Sequence, residues 1–192
     1  MRIGDRAAPR RARGVSLIEL IVVIVIMSVC LVGILSVLNV TVARSADPMI
    51  RKQVLSIAEA LLEEVELMPF TYCDPDDANA ATAQSAVISA TGCASTIEAI
   101  GPEAGESRYS TTTPFDNVND YHGFRMDGIR DLTNTAVAGL ENYSAAVTVT
   151  QGGLGLANAD VLLIAVTATG PGSNESVTLS AYRTRYAPNS LP

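Results

Sequence analysis

The chain has 192 residues, enough for one globular domain with accessory segments. Aromatic residues make up 5% of it and tryptophan is absent, so the composition does not indicate a large enzyme with a deep aromatic pocket. The net charge is −7, although residues 1–14 hold five arginines against one aspartate. The rest of the chain has 8 basic and 19 acidic residues, which excludes nucleic acid as a partner for most of its surface.

The N-terminal region predicts a membrane-spanning helix behind a basic leader. Residues 20–42 carry no charged side chain, and as a helix they span about 34 Å, enough to cross the hydrocarbon core of a bilayer. The arginines predict that the N-terminus stays in the cytoplasm and that the rest lies outside it. A cleaved secretory signal is one alternative, but its apolar region runs about 7–15 residues and ends in a small-x-small site, which does not follow convincingly here.

Glu19 separates two further interpretations of this region. An ordinary signal-anchor explains the arginines and the apolar run, but it leaves the carboxylate at the start of that run without a purpose. If a peptidase cuts after Gly14, Val15 acquires a free α-amino group and Glu19 becomes the fifth residue of the mature chain. The amine of one subunit can then neutralise the carboxylate of its neighbour and fix the register of the packed helices.

The segment that carries this pattern reads RGVSLIELIVVIVIMSV, and it resembles the N-terminus of type IV prepilins and type II secretion pseudopilins. The resemblance implies that a prepilin peptidase cuts after Gly14 and N-methylates Val15, and that Glu19 is the assembly glutamate. Two departures accompany it. The usual first mature residue of the family is Phe rather than Val15, and the helix-breaking proline of major pilins would fall at Ser36, where it is missing.

Residues 43–68 predict the amphipathic second half of the same helix. Asp47 and Pro48 suit an N-cap and a first turn, so the helix can restart or bend there. Apolar residues then recur every three or four positions, with glutamates mainly off their stripe, until Pro69 ends the helix. The stripe consists of Ile50, Val54, Ile57, Leu61, Val65 and Met68.

The remainder, residues 69–192, predicts a small globular domain. Residues 71–142 are rich in small polar side chains and predict a loop region, with a short strand around 123–126. Three Val/Thr/Leu-rich runs at 143–151, 160–169 and 175–186, separated by glycine-containing turns, predict antiparallel strands within 143–186. The predicted fold class is therefore α+β and pilin-like: a long N-terminal helix followed by a small antiparallel sheet.

Cys73 and Cys93 lie in the polar stretch, whereas Cys30 lies in the apolar run. If that stretch is periplasmic, the first two can form a disulfide worth about 3 kcal/mol on the loop-entropy model. The alternative is two free thiols in a mobile loop.

Clustered oxygen-bearing side chains occur after Cys73. Asp74, Asp76 and Asp77 are weak calcium candidates, since some pseudopilins bind calcium, but the spacing does not fit an EF-hand. We predict a solvated acidic loop there, no metal site, and the same for the second cluster that begins at Asp116. His122 is the only histidine and no serine or phosphate-loop motif is present, so we predict neither an enzyme nor a cofactor.

The end of the helix, MPFTYCDPDD, and the closing SAYRTRY further resemble the minor pilins of the mannose-sensitive haemagglutinin (MSHA) pilus. The resemblance implies a structural subunit, placed at initiation or at the tip of a filament. Its partners would be a prepilin peptidase, major and minor pilins, the inner-membrane assembly platform and the lipid bilayer. The precursor would cross the inner membrane once, with its domain in the periplasm. The alternatives are a minor pseudopilin of type II secretion and, in another class, a membrane-anchored periplasmic binding module.

Overall fold

The computed structural model describes residues 14–191, apart from the side chains of residues 40–47. Most of the predicted basic leader, residues 1–13, therefore lies outside the described residues. The contacts divide the chain into two compact units with their boundary between Ala46 and Asp47, and each unit is described by itself below.

Helix α1 runs from Leu17 to Leu67. It contains Pro48, which has no N–H to donate to the carbonyl four residues earlier. The helix nevertheless continues through Pro48 without a break and does not restart there. Its last turn tightens, because the Met68 amide donates to the Val65 carbonyl at 3.2 Å. Pro69 follows and cannot continue the helix.

The sheet of the second unit has four antiparallel strands in sequential order. Their bounds are β1 Arg125–Asp127, β2 Ser144–Gln151, β3 Val161–Thr169 and β4 Ser176–Thr184. The short strand expected around 123–126 lies slightly later in the chain, and the three long strands fall within the three predicted runs. Each strand pairs antiparallel with the next one along the chain, so the sheet is a meander.

One face of the sheet packs against the second half of α1. Along β3 every second side chain is buried, and Ile164 and Val166 pair across the sheet with Val149 and Val147 of β2. The predicted stripe of α1 covers them, with Val54, Ile57, Leu61 and Val65 buried and Ile50 and Met68 partly buried. The α+β, pilin-like fold class is thus confirmed.

Gly170 follows β3 at a point where the chain comes close to α1. A Cβ atom added there would lie 2.8 Å from Cγ2 of Ile50 and 3.2 Å from Cγ2 of Val54. Because both side chains are β-branched and stiff, only a glycine lets the end of β3 come so near to α1.

The long connection between α1 and β1 packs on the second half of the helix, at Glu64. It contains a 3₁₀ turn, Val118–Tyr121, whose four residues are all buried. Arg108 forms an ion pair with Glu64 of α1, with Nε–Oε1 at 2.6 Å and Nη2–Oε2 at 2.7 Å. Tyr121 donates a third hydrogen bond to this carboxylate at 2.8 Å. The sequence interpretation placed the glutamates mainly off the apolar stripe and did not predict this pair.

Candidate processing and assembly site

Gly14, Val15 and Ser16 precede α1 and have no regular secondary structure. Val15 is 69% exposed, and a Cβ atom added at Gly14 would meet nothing within 4 Å. The first hydrogen bond of the helix is made by the Leu20 amide, which donates to the Ser16 carbonyl at 3.1 Å. The Gly14–Val15 bond is therefore accessible and outside the helix, as a peptidase substrate requires.

Glu19 lies in the first turn of α1 and is exposed. A carboxylate in that turn interacts favourably with the free amide groups at the positive end of the helix. Among the side chains that the structure describes, Glu19 makes no ion pair, because the two ion pairs between them involve other carboxylates. Its charge is thus available to a cation from outside the described chain.

The helix beyond Glu19 presents an apolar surface in every direction. Leu17–Asn39 is the single segment of the described chain that is long and apolar enough to cross a membrane, and none of it is buried. Within this segment the Ser28 hydroxyl donates a hydrogen bond to the Ile24 carbonyl at 2.7 Å. Lipid or other apolar helices can therefore cover this surface without leaving that hydroxyl unpaired.

Cys73 and Cys93 are joined by a disulfide and are fully buried, while Cys30 is free and exposed. The loop that the disulfide closes is organised by Asp77, which is 7% exposed. Its carboxylate accepts five hydrogen bonds at 2.7–3.0 Å, from the amides of Asn79, Ala94, Ser95 and Thr96 and from the Ser95 hydroxyl. Asp77 is thus an anion inside a cage of donors, not a side chain free to bind calcium.

Asp77 should give the stability of the domain a specific pH dependence. The donors, the Thr96 amide first, hold the pKa of its carboxyl well below the usual 3.8. The stabilisation is complete above the pKa of the unfolded chain, about 3.9, and falls as the pH drops below it, because the unfolded chain then takes up the proton first. We expect Asp77→Asn to lower the Tm at pH 7, with the gap from wild type narrowing below about pH 4.

Thermal unfolding of both proteins, followed by circular dichroism between pH 7 and pH 3, measures this gap. Asp127→Asn is the matched control, since that carboxylate is 79% exposed, and its Tm should follow wild type throughout. A gap for Asp77→Asn that stays constant over this range would contradict the assignment.

The other two calcium candidates, Asp74 and Asp76, lie together with Asp116, and their oxygens are within 4.8 Å of one another. Asp77 is not in this group. The structure adds carboxylates that the sequence interpretation did not single out, namely Glu98, Glu103 and Glu106. These glutamates come soon after Cys93 in the sequence, but their spacing does not indicate that the chain folds back on itself there.

His122 has a structural role in the described chain. Its Nδ1 accepts a hydrogen bond from the Val149 amide of β2 at 3.2 Å. The imidazole therefore provides the Val149 amide with the acceptor that a neighbouring strand would otherwise supply.

Residues 9–35 match the family model for the prokaryotic N-terminal methylation motif. The match contains Gly14, Val15, Glu19 and much of the apolar segment, so the accessible bond and the first-turn carboxylate lie within one type IV prepilin-like motif. Such a motif implies processing by a prepilin peptidase and assembly with other pilins. No curated protein and no solved structure compared with the chain matches it.

Proposed function

We propose that the chain is the precursor of a structural subunit of a type IV pilus or pseudopilus, cut between Gly14 and Val15. The observation that carries the proposal is the order of features within one methylation motif. An exposed, non-helical Gly–Val bond is followed within one turn by Glu19 and then by a helix that is apolar on all sides. Each feature serves a step: cleavage, pairing between subunits, and burial in a filament core.

Cleavage changes the chemistry of the helix N-terminus. It removes the five arginines of the leader, which hold the precursor across the membrane, and it leaves an α-amino group on Val15. N-methylation keeps this amine basic, so it stays positively charged. When subunits pack side by side, the amine of one neutralises Glu19 of the next, and the apolar faces replace lipid with other helices.

The finer assignment is a minor pilin of an MSHA-type pilus, most similar to MshD, acting at initiation or at the tip. The residues that support it are those at the end of the helix and in the last strand, residues 58–77 and 180–186. The precursor crosses the inner membrane once, with residues 43–192 in the periplasm, and it meets the prepilin peptidase, the assembly platform and other pilins in that membrane. A minor pseudopilin of type II secretion is the second candidate, because the same motif serves both systems.

Co-expression of the full chain with a prepilin peptidase tests the proposal. We expect the intact mass to fall by that of residues 1–14 and to gain one methyl group. The matched control is Gly14→Leu, which adds a side chain where nothing lies within 4 Å and so leaves the precursor fold unchanged while blocking the cut. A wild-type chain that stays uncut, or is cut near residue 42, would contradict the filament role and favour a membrane-anchored binding module or a secreted protein.

A further inference from the structure

Seven carboxylates gather beside the disulfide loop, in three overlapping groups whose ligand oxygens lie within 4.8 Å of one another. The groups are Glu98, Glu103 and Asp120; Asp74, Glu103 and Glu106; and Asp74, Asp76 and Asp116. Glu103 and Asp74 belong to two groups each, so the carboxylates form one continuous patch. An acidic patch on a surface is ordinary, and the first group is different because two of its members are buried.

Glu98 and Asp120 direct unpartnered oxygens into the first group. Glu98 is 8% exposed, and neither of its carboxylate oxygens accepts a hydrogen bond. Asp120 is fully buried: its Oδ2 accepts from the amides of Asp116 and Asn117 at 3.0 and 2.8 Å, whereas its Oδ1 has no partner. Buried carboxylate oxygens without a donor are costly, and a bound cation would relieve that cost for these three oxygens.

No basic side chain of the described residues supplies that compensation. The ion pairs within residues 14–191 are Arg108–Glu64 and Arg125–Asp127, both outside the patch. Arg185 is close enough to interact electrostatically with Glu98, but it does not pair with it, and its guanidinium stacks on the rings of Phe70 and Tyr72 at 4.1 and 4.8 Å.

We propose that Glu98, Glu103 and Asp120 bind one calcium ion. The ligands are all oxygens, which suits a hard divalent cation, and carboxylates from a loop and a turn give the adaptable geometry that calcium accepts and magnesium does not. The remaining positions of its shell are filled by water. The site does not depend on cleavage or on filament assembly.

The calcium ion would connect two segments that are joined close to the site by one backbone hydrogen bond. Glu98 and Glu103 lie on the loop after Cys93, and Asp120 lies on the 3₁₀ turn Val118–Tyr121. The Gly101 amide already donates to the Asn119 carbonyl at 3.1 Å. Calcium between the carboxylates holds the same two segments together through their side chains and thereby stabilises the domain.

Calcium binding by the full chain in non-ionic detergent tests the proposal. The protein is first freed of metal with EDTA, then titrated with calcium chloride by calorimetry and unfolded by heat under circular dichroism. At a calcium concentration a hundred times the measured Kd, we expect the Tm to rise by about 5–10 °C, with a smaller rise in the same concentration of magnesium. Absence of both binding heat and a Tm shift would overturn the proposal and leave an acid cluster that shares protons.

Single substitutions distinguish calcium binding at this site from a general effect of the negative charge of the domain. Glu98→Gln and Glu103→Gln should each weaken calcium binding at least about tenfold. Without calcium, the Tm of Glu98→Gln should equal or exceed that of wild type, because the substitution removes an uncompensated buried carboxylate. A loss of the calcium-dependent rise in Tm in this variant is therefore not a folding defect. Asp127→Asn removes an exposed carboxylate outside the patch and should respond as wild type does. A wild-type response in both glutamine variants, or an equal loss in Asp127→Asn, would overturn the proposal.

Discussion

Replacing Glu19 with alanine is expected to lower incorporation of the subunit into filaments at least about tenfold, the equivalent of about 1.4 kcal/mol. The reason is that the mature helix would bring its Val15 amine into an apolar core with no carboxylate to neutralise it. Losing one partner of a buried ion pair costs about 3–5 kcal/mol, so tenfold is a lower bound. Insertion and cleavage should persist, because the apolar segment Leu17–Asn39 and the Gly14–Val15 bond are unchanged.

The measurement compares the variant in the sheared filament fraction with the variant retained in the membrane, both detected by immunoblot. Glu19→Asp keeps the charge and should recover part of the incorporation. Glu63→Ala, an exposed glutamate on the same helix, is the matched control and should assemble normally. Normal assembly of Glu19→Ala would remove the pairing mechanism, even if cleavage occurs as proposed.

Arg108→Leu is expected to destabilise the globular domain by about 3–5 kcal/mol, because it leaves Glu64 charged and unpaired. The side chains of this pair are 5% and 18% exposed, and the two short contacts between them are charge-assisted. For a chain of this size the Tm should fall by roughly 6–20 °C. Thermal unfolding of the full chain in detergent, followed by the circular dichroism of the sheet, measures the loss.

Two further variants test whether the loss of stability is specific to the buried ion pair. In Arg108→Leu with Glu64→Gln, the amide still accepts the Tyr121 hydroxyl without carrying a charge, so part of the lost stability should return. Arg125→Leu breaks an ion pair whose side chains are 67% and 79% exposed, and it should change stability by less than about 1 kcal/mol. If Arg108→Leu costs no more than Arg125→Leu, the buried pair is not what joins α1 to the loop.

The sequence predicts the framework because two periodicities are clear in it. Apolar residues at helical spacing predict which face of α1 is buried, and Val54, Leu61 and Val65 are indeed in the core. Alternation and glycine turns predict the three long strands. The course of α1 through Pro48 is harder to predict, since a proline after an aspartate is also a good helix start and no local signal separates the two.

The polar interactions are less predictable, because they join residues far apart in the chain. Glu64 is separated by more than forty residues from Arg108, so its burial depends on a loop with no periodicity. From the sequence, Asp77 is expected to be a surface carboxylate. Most of its hydrogen-bond donors come from residues 94–96, which lie near it only when the disulfide loop has folded. Glu98 is missed for the same reason, and the prediction of a solvated loop at Asp120 is wrong, because that residue is fully buried. Gly14, Val15 and Glu19 can be recognised because their pattern is local.

The packing of α1 on the sheet has a consequence for the order of folding. The helical half of the core is synthesised first and its cover last: Gly170, which touches Ile50, follows it by 120 residues. Contacts of such sequence separation close large loops and slow folding. Until β3 has been made, the stripe of Val54 and Leu61 lacks the part of the core that Leu162, Ile164 and Val166 provide. A ribosome that stalls before β3 would therefore release a chain with an incomplete core, a substrate for chaperones and proteases rather than for a filament.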